Sequence, residues 1–428
     1  MKTKAVRLYG KNDLRLEEFE LPPIGRDEIL ARVVCDSLCM SSYKAATQAD
    51  SHKRVPDDVA ECPVIIGHEF AGEIIEVGDA YRDRFAPGDR FAIQPALNDE
   101  RGRCGKWSAP GYTYSHIGGD ATYIIIPPEV MDNGALIRFA GDGFYRASLA
   151  EPLSCVAGAM HANYHTGQGS YVHKMDIVDG GNLAILAGVG PMGLAMINYV
   201  LNRADRKPRL LLVTDINGER LARAAELFPP SYAAQRGIEL VYVNTGEGGH
   251  SAGKLRSYTE QGRGYDDIFV MAPVAAVIEQ ADDILAFDGC LNFFAGPSDT
   301  GLKAKMNFYN VHYGYTHVAA TSGGNSDDMR EVLAMMEDGL DPAGIISHIG
   351  GLDAVAEATL NLPDIPGGKK LIYTHLEMPL TAISDFGKMA DTSPLFAELD
   401  RICKTHNGVW SVEAENYLLS YTEYNKAR

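Results

Sequence analysis

The sequence predicts an α/β protein in which a β-rich first third precedes a doubly wound parallel sheet. Three features carry this. Short β-branched and aromatic runs bounded by Gly, Pro and Asp fill residues 1 to about 123, strands alternate with helical stretches after about residue 180, and a glycine-rich turn opens the first of those helices. A length of 428 residues suits two or three domains. Hydrophobic residues at 46% and charged residues at 22% match ordinary globular usage, which excludes disordered, collagenous and coiled-coil classes.

The β-rich part reads as strands EILARVVC (28–35), AGEIIEVG (71–78), DRFAIQ (89–94) and ATYIIIP (121–127), each bounded by breakers, a small barrel or sandwich. The parallel sheet follows with LAILAG (183–188), RLLLVTD (209–215), IELVYVN (238–244), DDIFVMA (266–272) and CLNFFAG (290–296). Further on, SDDMREVLAMMEDG (326–339) predicts an amphipathic helix started by Ser326 and stopped by Gly339, and DAVAEATLNLP (353–363) predicts another. A last helix is expected over Pro394–His406, with Ser393 as cap and Asn407-Gly408 as the stop, so the tail reads as a folded extension.

A formal net charge of −18 sets up a field that repels nucleic acid and anionic membrane, so neither is an expected partner. No apolar run reaches the roughly 18 residues of a membrane span, and the start MKTKAVRLYG carries charge in place of a signal-peptide core. The seven cysteines are scattered with no C-x-x-C pair. Reduced thiols in a cytoplasm are expected, and any metal site must be built from mixed ligands.

In LAILAGVGPMGLAMINYVL, Gly188 permits a tight turn, Gly190 lets backbone approach a pyrophosphate, and Gly193 lets helix and strand pack closely. Pro191 and Met192 form the first helical turn, whose free N–H groups face the phosphates. The next strand ends at Asp215, roughly 20 residues past the last glycine. A carboxylate there accepts from a ribose hydroxyl pair and repels a 2′-phosphate, which favours NAD(H) over NADP(H). Arg220 and Arg223 on the following helix soften that preference.

Three separated segments offer zinc-competent side chains: Cys39 before Met40-Ser41-Ser42, His68 and Glu69 after PVIIG, and Glu151 in ASLAEPLSC. Thiolate, imidazole and carboxylate together leave one position of a tetrahedral ion open to water or substrate. Taken singly, a buried cysteine, a core histidine and a capping glutamate explain them as well.

The order of motifs, Cys39 with Ser41, GHEFAGEIIEVG, PGDRF at 87–91, GGDATY at 118–123, the Glu-Pro pair and then GVGPMG, resembles the zinc-dependent medium-chain dehydrogenase/reductase family over about residues 1–378, and its polyol dehydrogenase branch in particular. The resemblance implies a GroES-like catalytic domain over 1–155, a Rossmann domain over 156–315 and a return to the catalytic domain over 316–428. It also implies one catalytic zinc per chain held by Cys39 and His68, with Glu69 and Glu151 ligating directly or through water. Ser41 would pass the alcohol proton outward, and the chain would assemble as a homodimer or homotetramer.

Two departures from the family pattern stand out. Ser42 and Lys44 occupy positions where the family often has Asp and His, which opens Lys44 to a negatively charged substrate group. Between Gln94 and Gly119 only Cys104 remains of the four closely spaced cysteines of many relatives, so no structural zinc is expected, and Trp107, Tyr112 and Tyr114 are expected to pack that loop. Lys53, Arg54, Arg101 and Arg103 are further candidates for a phosphate contact. The implied substrate is a small sugar phosphate or a polyol. Competing readings are a dehydrogenase of a free polyol or other secondary alcohol, and a dinucleotide-binding protein without catalysis.

Overall fold

The computed structural model describes residues 1–246, 251–391 and 393–426, and divides into two compact units, Met1–Glu151 with the chain from Asn325 onward, and Pro152–Gly324. Among the described residues no helix is long and apolar enough to cross a membrane.

In the first unit the strand Ile29–Leu38 is buried along nearly its whole length, and it accordingly pairs on both sides. It meets Ala71–Val77 along one edge, and Tyr123–Ile126 and Lys369–Tyr373 in succession along the other, all antiparallel. The sheet continues outward through Arg90–Ile93 to Leu136–Arg138, and on the far side through Ile346–Gly351 to Thr381–Ala382. In this register Lys370 faces Leu38 and Tyr373 faces Cys35. That pairing brings a strand from the end of the chain beside the residue that follows Leu38, Cys39. A smaller sheet of Lys2–Gly10, Asp13–Glu20 and Val64–Ile65 carries the chain to Gly67.

The helix Ser326–Glu337 forms as expected, but its cap is Asn325, one residue earlier than the sequence reading. Asn325 Oδ1 accepts from the Asp327 and Asp328 N–H groups, and the Asp328 carboxylate accepts in return from the Asn325 N–H, a reciprocal box that a cap at Ser326 could not close. Ser393 does precede the helix Pro394–Thr405, yet its side chain makes no capping bond. Asn407 and Gly408 end that helix with positive φ. The chain then buries Trp410 and enters a last helix, Val412–Lys426.

The second unit holds a six-stranded parallel sheet in the order Glu239–Asn244, Leu210–Asp215, Asn182–Leu186, Tyr265–Val270, Leu285–Phe293, His317–Ala319. The first strand lies inside the sheet and later ones are added outward in both directions, the doubly wound arrangement whose switch point lies beside that strand. Both inner strands, Asn182–Leu186 and Tyr265–Val270, are buried throughout.

Candidate active site

Cys39 occupies the N-cap position of the helix Met40–Gln48, with extended backbone (φ −128°, ψ 145°). His68 and Glu69 follow a turn at Gly67 (φ +89°), where a Cβ would fall 2.6 Å from Asp120 N and 2.8 Å from Asp36 Oδ2. Only glycine fits, because the turn is pressed onto the GGD segment of residues 118–120. Within this frame the sulfur of Cys39, a ring nitrogen of His68 and a carboxylate oxygen of Glu69 lie within 4.8 Å of one another, and among the described residues this is the group of that kind found. Ligand atoms on one tetrahedral zinc stand about 3.5 Å apart, given bonds of roughly 2.0–2.3 Å. The three fit such an ion after a small contraction.

The partners of each donor qualify that fit. His68 Nδ1 faces Ser42 Oγ at 3.2 Å and Nε2 faces the Tyr112 hydroxyl at 3.2 Å. Burial first, then the Lys369 ammonium and the Arg54 guanidinium, lower the His68 pKa to about 3, so the ring is neutral and competent as a ligand. Burial first, then Glu69 and Glu151 against the pull of Lys369, push the Cys39 thiol up to about 12. A cation bound there must therefore displace a proton from sulfur. Glu69 is already engaged: Lys369 Nζ donates to both of its oxygens, at 2.6 Å to Oε2, and Ser37 Oγ donates to Oε2 at 2.5 Å. Glu69 thus fits a metal only in competition with Lys369. Glu151 stands outside the three-residue group, although its charge acts on Cys39, Tyr112 and Lys369.

Beneath the turn, Glu69 N donates to Asp36 Oδ1 at 3.1 Å. Asp36 and Asp120 are fully buried against each other, and burial holds both carboxyls above the usual carboxylate range. Burial and mutual repulsion both favour the protonated form of the pair.

Two aromatic residues of this site, Tyr112 and His52, carry no site role in the sequence reading. Tyr112, expected there to pack the loop, also hydrogen-bonds the His68 ring through its hydroxyl and stacks on His52 (centroids 5.9 Å, 11°). His52 is lowered to about 4 by burial and then by Arg54, Lys53 and Lys44, which places three cations around it in a strongly acidic chain. Lys53 Nζ lies 4.2 Å from the centre of the Trp107 ring, and Arg54 donates to the Trp107 carbonyl. Arg101 and Arg103 are poor phosphate contacts, because Arg101 pairs with Asp99 and Asp132 at 2.6 and 2.8 Å and Arg103 pairs with Asp58. Trp107 is 40% exposed and lies outside the hydrophobic clusters that pack the 94–119 loop. Tyr112 is buried in the core beside Ala109 and Tyr114 packs against the cluster of Leu97 and Ile117, as expected, and hydrogen bonds add to this, Cys104 N to Ser108 Oγ and Thr113 Oγ1 to the Arg54 carbonyl.

In the second unit, Gly190 caps the helix Pro191–Asn202, with Pro191 and Met192 in its first turn. A Cβ on Gly193 would fall 2.1 Å from the Gly188 carbonyl oxygen, so strand and helix touch there, whereas a Cβ on Gly190 would meet nothing within 4 Å. Open space in front of the N-terminal N–H groups fits a pyrophosphate. Asp215 ends its strand beside this turn, where Val189 N points to Oδ2 at 3.4 Å and Asn217 N donates to Oδ1 at 3.0 Å.

The pattern of the alcohol dehydrogenase GroES-like domain matches residues 25–132. The chain belongs to the medium-chain dehydrogenase/reductase family and is an oxidoreductase of the alcohol dehydrogenase type. Among relatives, it is 51% identical to the uncharacterized protein YggP of Escherichia coli (98% of this chain, 97% of that one). It is 49% identical to mannitol-1-phosphate 5-dehydrogenase of Aliivibrio fischeri and 48% identical to L-sorbose 1-phosphate reductase of Klebsiella pneumoniae, each over 98% of both chains. In fold it is similar to a Sinorhizobium meliloti protein described as a zinc-binding dehydrogenase bound to NADP, with TM-score 0.68 and 19% identity over 87% of this chain and 99% of that one. Escherichia coli galactitol-1-phosphate dehydrogenase gives TM-score 0.65 and 21% identity over 86% and 99%.

Proposed function

We propose that this protein is a zinc-dependent, NAD(H)-using oxidoreductase that interconverts a ketose phosphate and a hexitol phosphate, with L-sorbose 1-phosphate and D-glucitol 6-phosphate as the specific pair. The observation that carries the reading is the meeting of Cys39, His68 and Glu69 in a chain nearly half identical, end to end, to an L-sorbose 1-phosphate reductase. The equally similar mannitol-1-phosphate 5-dehydrogenase favours a second pair, mannitol 1-phosphate and its 5-keto counterpart, within the same chemistry.

Cys39 and His68 would hold the zinc, with Glu69 or Glu151 as its acidic ligand. Bound zinc supplies Lewis-acid polarisation of a carbonyl oxygen, and bound nicotinamide supplies or takes the hydride. The chain's residues do the rest. Ser42 fixes the His68 ring, and Lys369 holds Glu69 in its buried seat. Ser41 Oγ–H gives up the proton that a reduced carbonyl oxygen takes, where the family's usual histidine is replaced by Lys44. Lys44, with Lys53 and Arg54 beside it, would form charge-assisted hydrogen bonds to a phosphate dianion. Gly188, Gly190, Pro191, Met192 and Gly193 cradle the cofactor's pyrophosphate and Asp215 its adenosine ribose. One zinc per chain is part of this reading. So is a homodimer or homotetramer, supported by the exposed Phe287, Phe308, Tyr309, Tyr313 and Val318 around the sheet edge His317–Ala319.

The test is steady-state NADH and NADPH oxidation with ketose 1-phosphates, ketose 6-phosphates and the free ketoses, on wild type and Lys44→Ala. Truncating a charged contact costs about 1.5–3 kcal/mol, on the order of tenfold to a hundredfold. The variant should raise KM for the phosphate by that factor and leave the free sugar unchanged. Equal turnover of sugars and their phosphates by wild type would contradict a phosphate substrate.

A further inference from the structure

The C-terminal helices close on the metal-site scaffold at a single carboxylate. Glu415, on the last helix, is 1% exposed. Its Oε2 accepts from Phe144 N at 2.6 Å, and its Oε1 accepts from Tyr145 N at 2.9 Å and from the Tyr373 hydroxyl at 2.7 Å. Trp410 Nε1 in turn donates to the Tyr373 oxygen at 2.9 Å. The seat is tight, since a Cβ on Gly143 would stand 3.2 Å from Val412 Cγ2.

Both segments held this way lead to the site. Phe144 and Tyr145 open a short helix from which Ser148 Oγ donates to the Glu69 carbonyl at 2.5 Å, and Glu151 follows three residues later. Tyr373 ends the strand that begins at Lys369, the partner of Glu69, and it faces Cys35 on the strand that runs on to Cys39. Glu415 thus joins the supports of Glu151, Glu69 and Cys39 across more than 260 residues of sequence.

We propose that the C-terminal extension is a positioning element of the active site and that Glu415 is its positioning residue, fixing Glu151 and the Lys369–Glu69 pair relative to Cys39. This rests on the reading of the site given under Proposed function. Outer partners of metal ligands typically change metal affinity or activity by about 10–100-fold when altered.

The test uses full-length Tyr373→Phe, which removes only the hydroxyl, and Glu415→Gln, which keeps shape but loses one acceptor. Zinc affinity is read by competition with a chromophoric chelator, kcat and KM by steady-state kinetics, and segment opening by amide hydrogen exchange over residues 144–151. Both variants should lower kcat and zinc affinity by about tenfold or more, leave KM for the nicotinamide cofactor unchanged, and speed exchange in 144–151. Variants that melt earlier but keep wild-type kcat and zinc affinity would overturn the positioning role in favour of a structural one. A wild-type chain that neither binds zinc nor turns over would overturn the reading beneath it, and this role with it.

Discussion

Lys369→Met tests the best-defined electrostatic contact of the site. The Lys369 and Glu69 side chains are 7% and 1% exposed, so the ion pair lies out of water. Removing the ammonium leaves a buried carboxylate with Ser37 Oγ as its remaining side-chain donor. Breaking a buried pair from one side costs about 3–5 kcal/mol, mainly through the uncompensated charge. At about 2–4 °C per kcal/mol for a domain of this size, the zinc-free protein should melt on the order of 10 °C lower. Glu69→Gln in the same chain should recover most of the loss, because it removes the orphaned charge. Zinc should also stabilise Lys369→Met more than it stabilises wild type, since the freed carboxylate belongs to the group with Cys39 and His68. The assay is thermal unfolding followed by circular dichroism, with chelator or with zinc, on both single variants and the double. An unchanged midpoint in Lys369→Met, or the same drop with Glu69 already replaced, would refute the reasoning.

Three further outcomes follow from the geometry. Cys39→Ala should lose most bound zinc, measured by mass spectrometry, and nearly all turnover while nicotinamide-cofactor binding persists, because the glycine turn lies in the other unit; joint loss of both would indicate misfolding. Asp215→Ser should narrow the ratio of NADH to NADPH use by removing repulsion of a 2′-phosphate, and an unchanged ratio would count against Asp215 as the ribose acid. For the Asp36–Asp120 pair the sign is set by burial, which raises both carboxyls, Asp120 to about 7, so the folded state binds protons that the unfolded state has released. Their contribution is full below the ordinary carboxylate range near pH 4 and is lost as pH rises toward 7. Urea unfolding should therefore show a decline over that window which flattens in Asp120→Asn, and parallel curves would disprove the upward shift of the pair.

What the sequence made legible was mostly local. The turn from Gly188 to Gly193 declares itself because each glycine answers a short-range demand, and the alternation of strands and helices around it leads directly to the doubly wound sheet. The helix start at 325 was also written locally, since Asn325 stands three residues before Asp328; reading Ser326 as the cap overlooked that pairing. Cys39, His68 and Glu69 could be picked out by the order of their motifs, but their partners could not. Lys369 lies 300 residues from Glu69 and reaches it only through the register of the Lys369–Tyr373 strand on Ile29–Leu38. Tyr112 and His52 gave no signal as site residues, because their role depends on how a loop without its usual cysteines folds over the His68 ring. Arg101 and Arg103 misled because charge on a loop says nothing about whether an acid waits beside it.

The most direct test of the account is zinc X-ray absorption on the purified, zinc-loaded protein, with metal content measured on the same sample. The account predicts one zinc per chain, bound by a single sulfur at about 2.3 Å and by nitrogen and oxygen at about 2.0–2.2 Å. Loss of the sulfur signal in Cys39→Ala would assign it. A second zinc, a shell of several sulfurs, or a single sulfur that survives that substitution would contradict it.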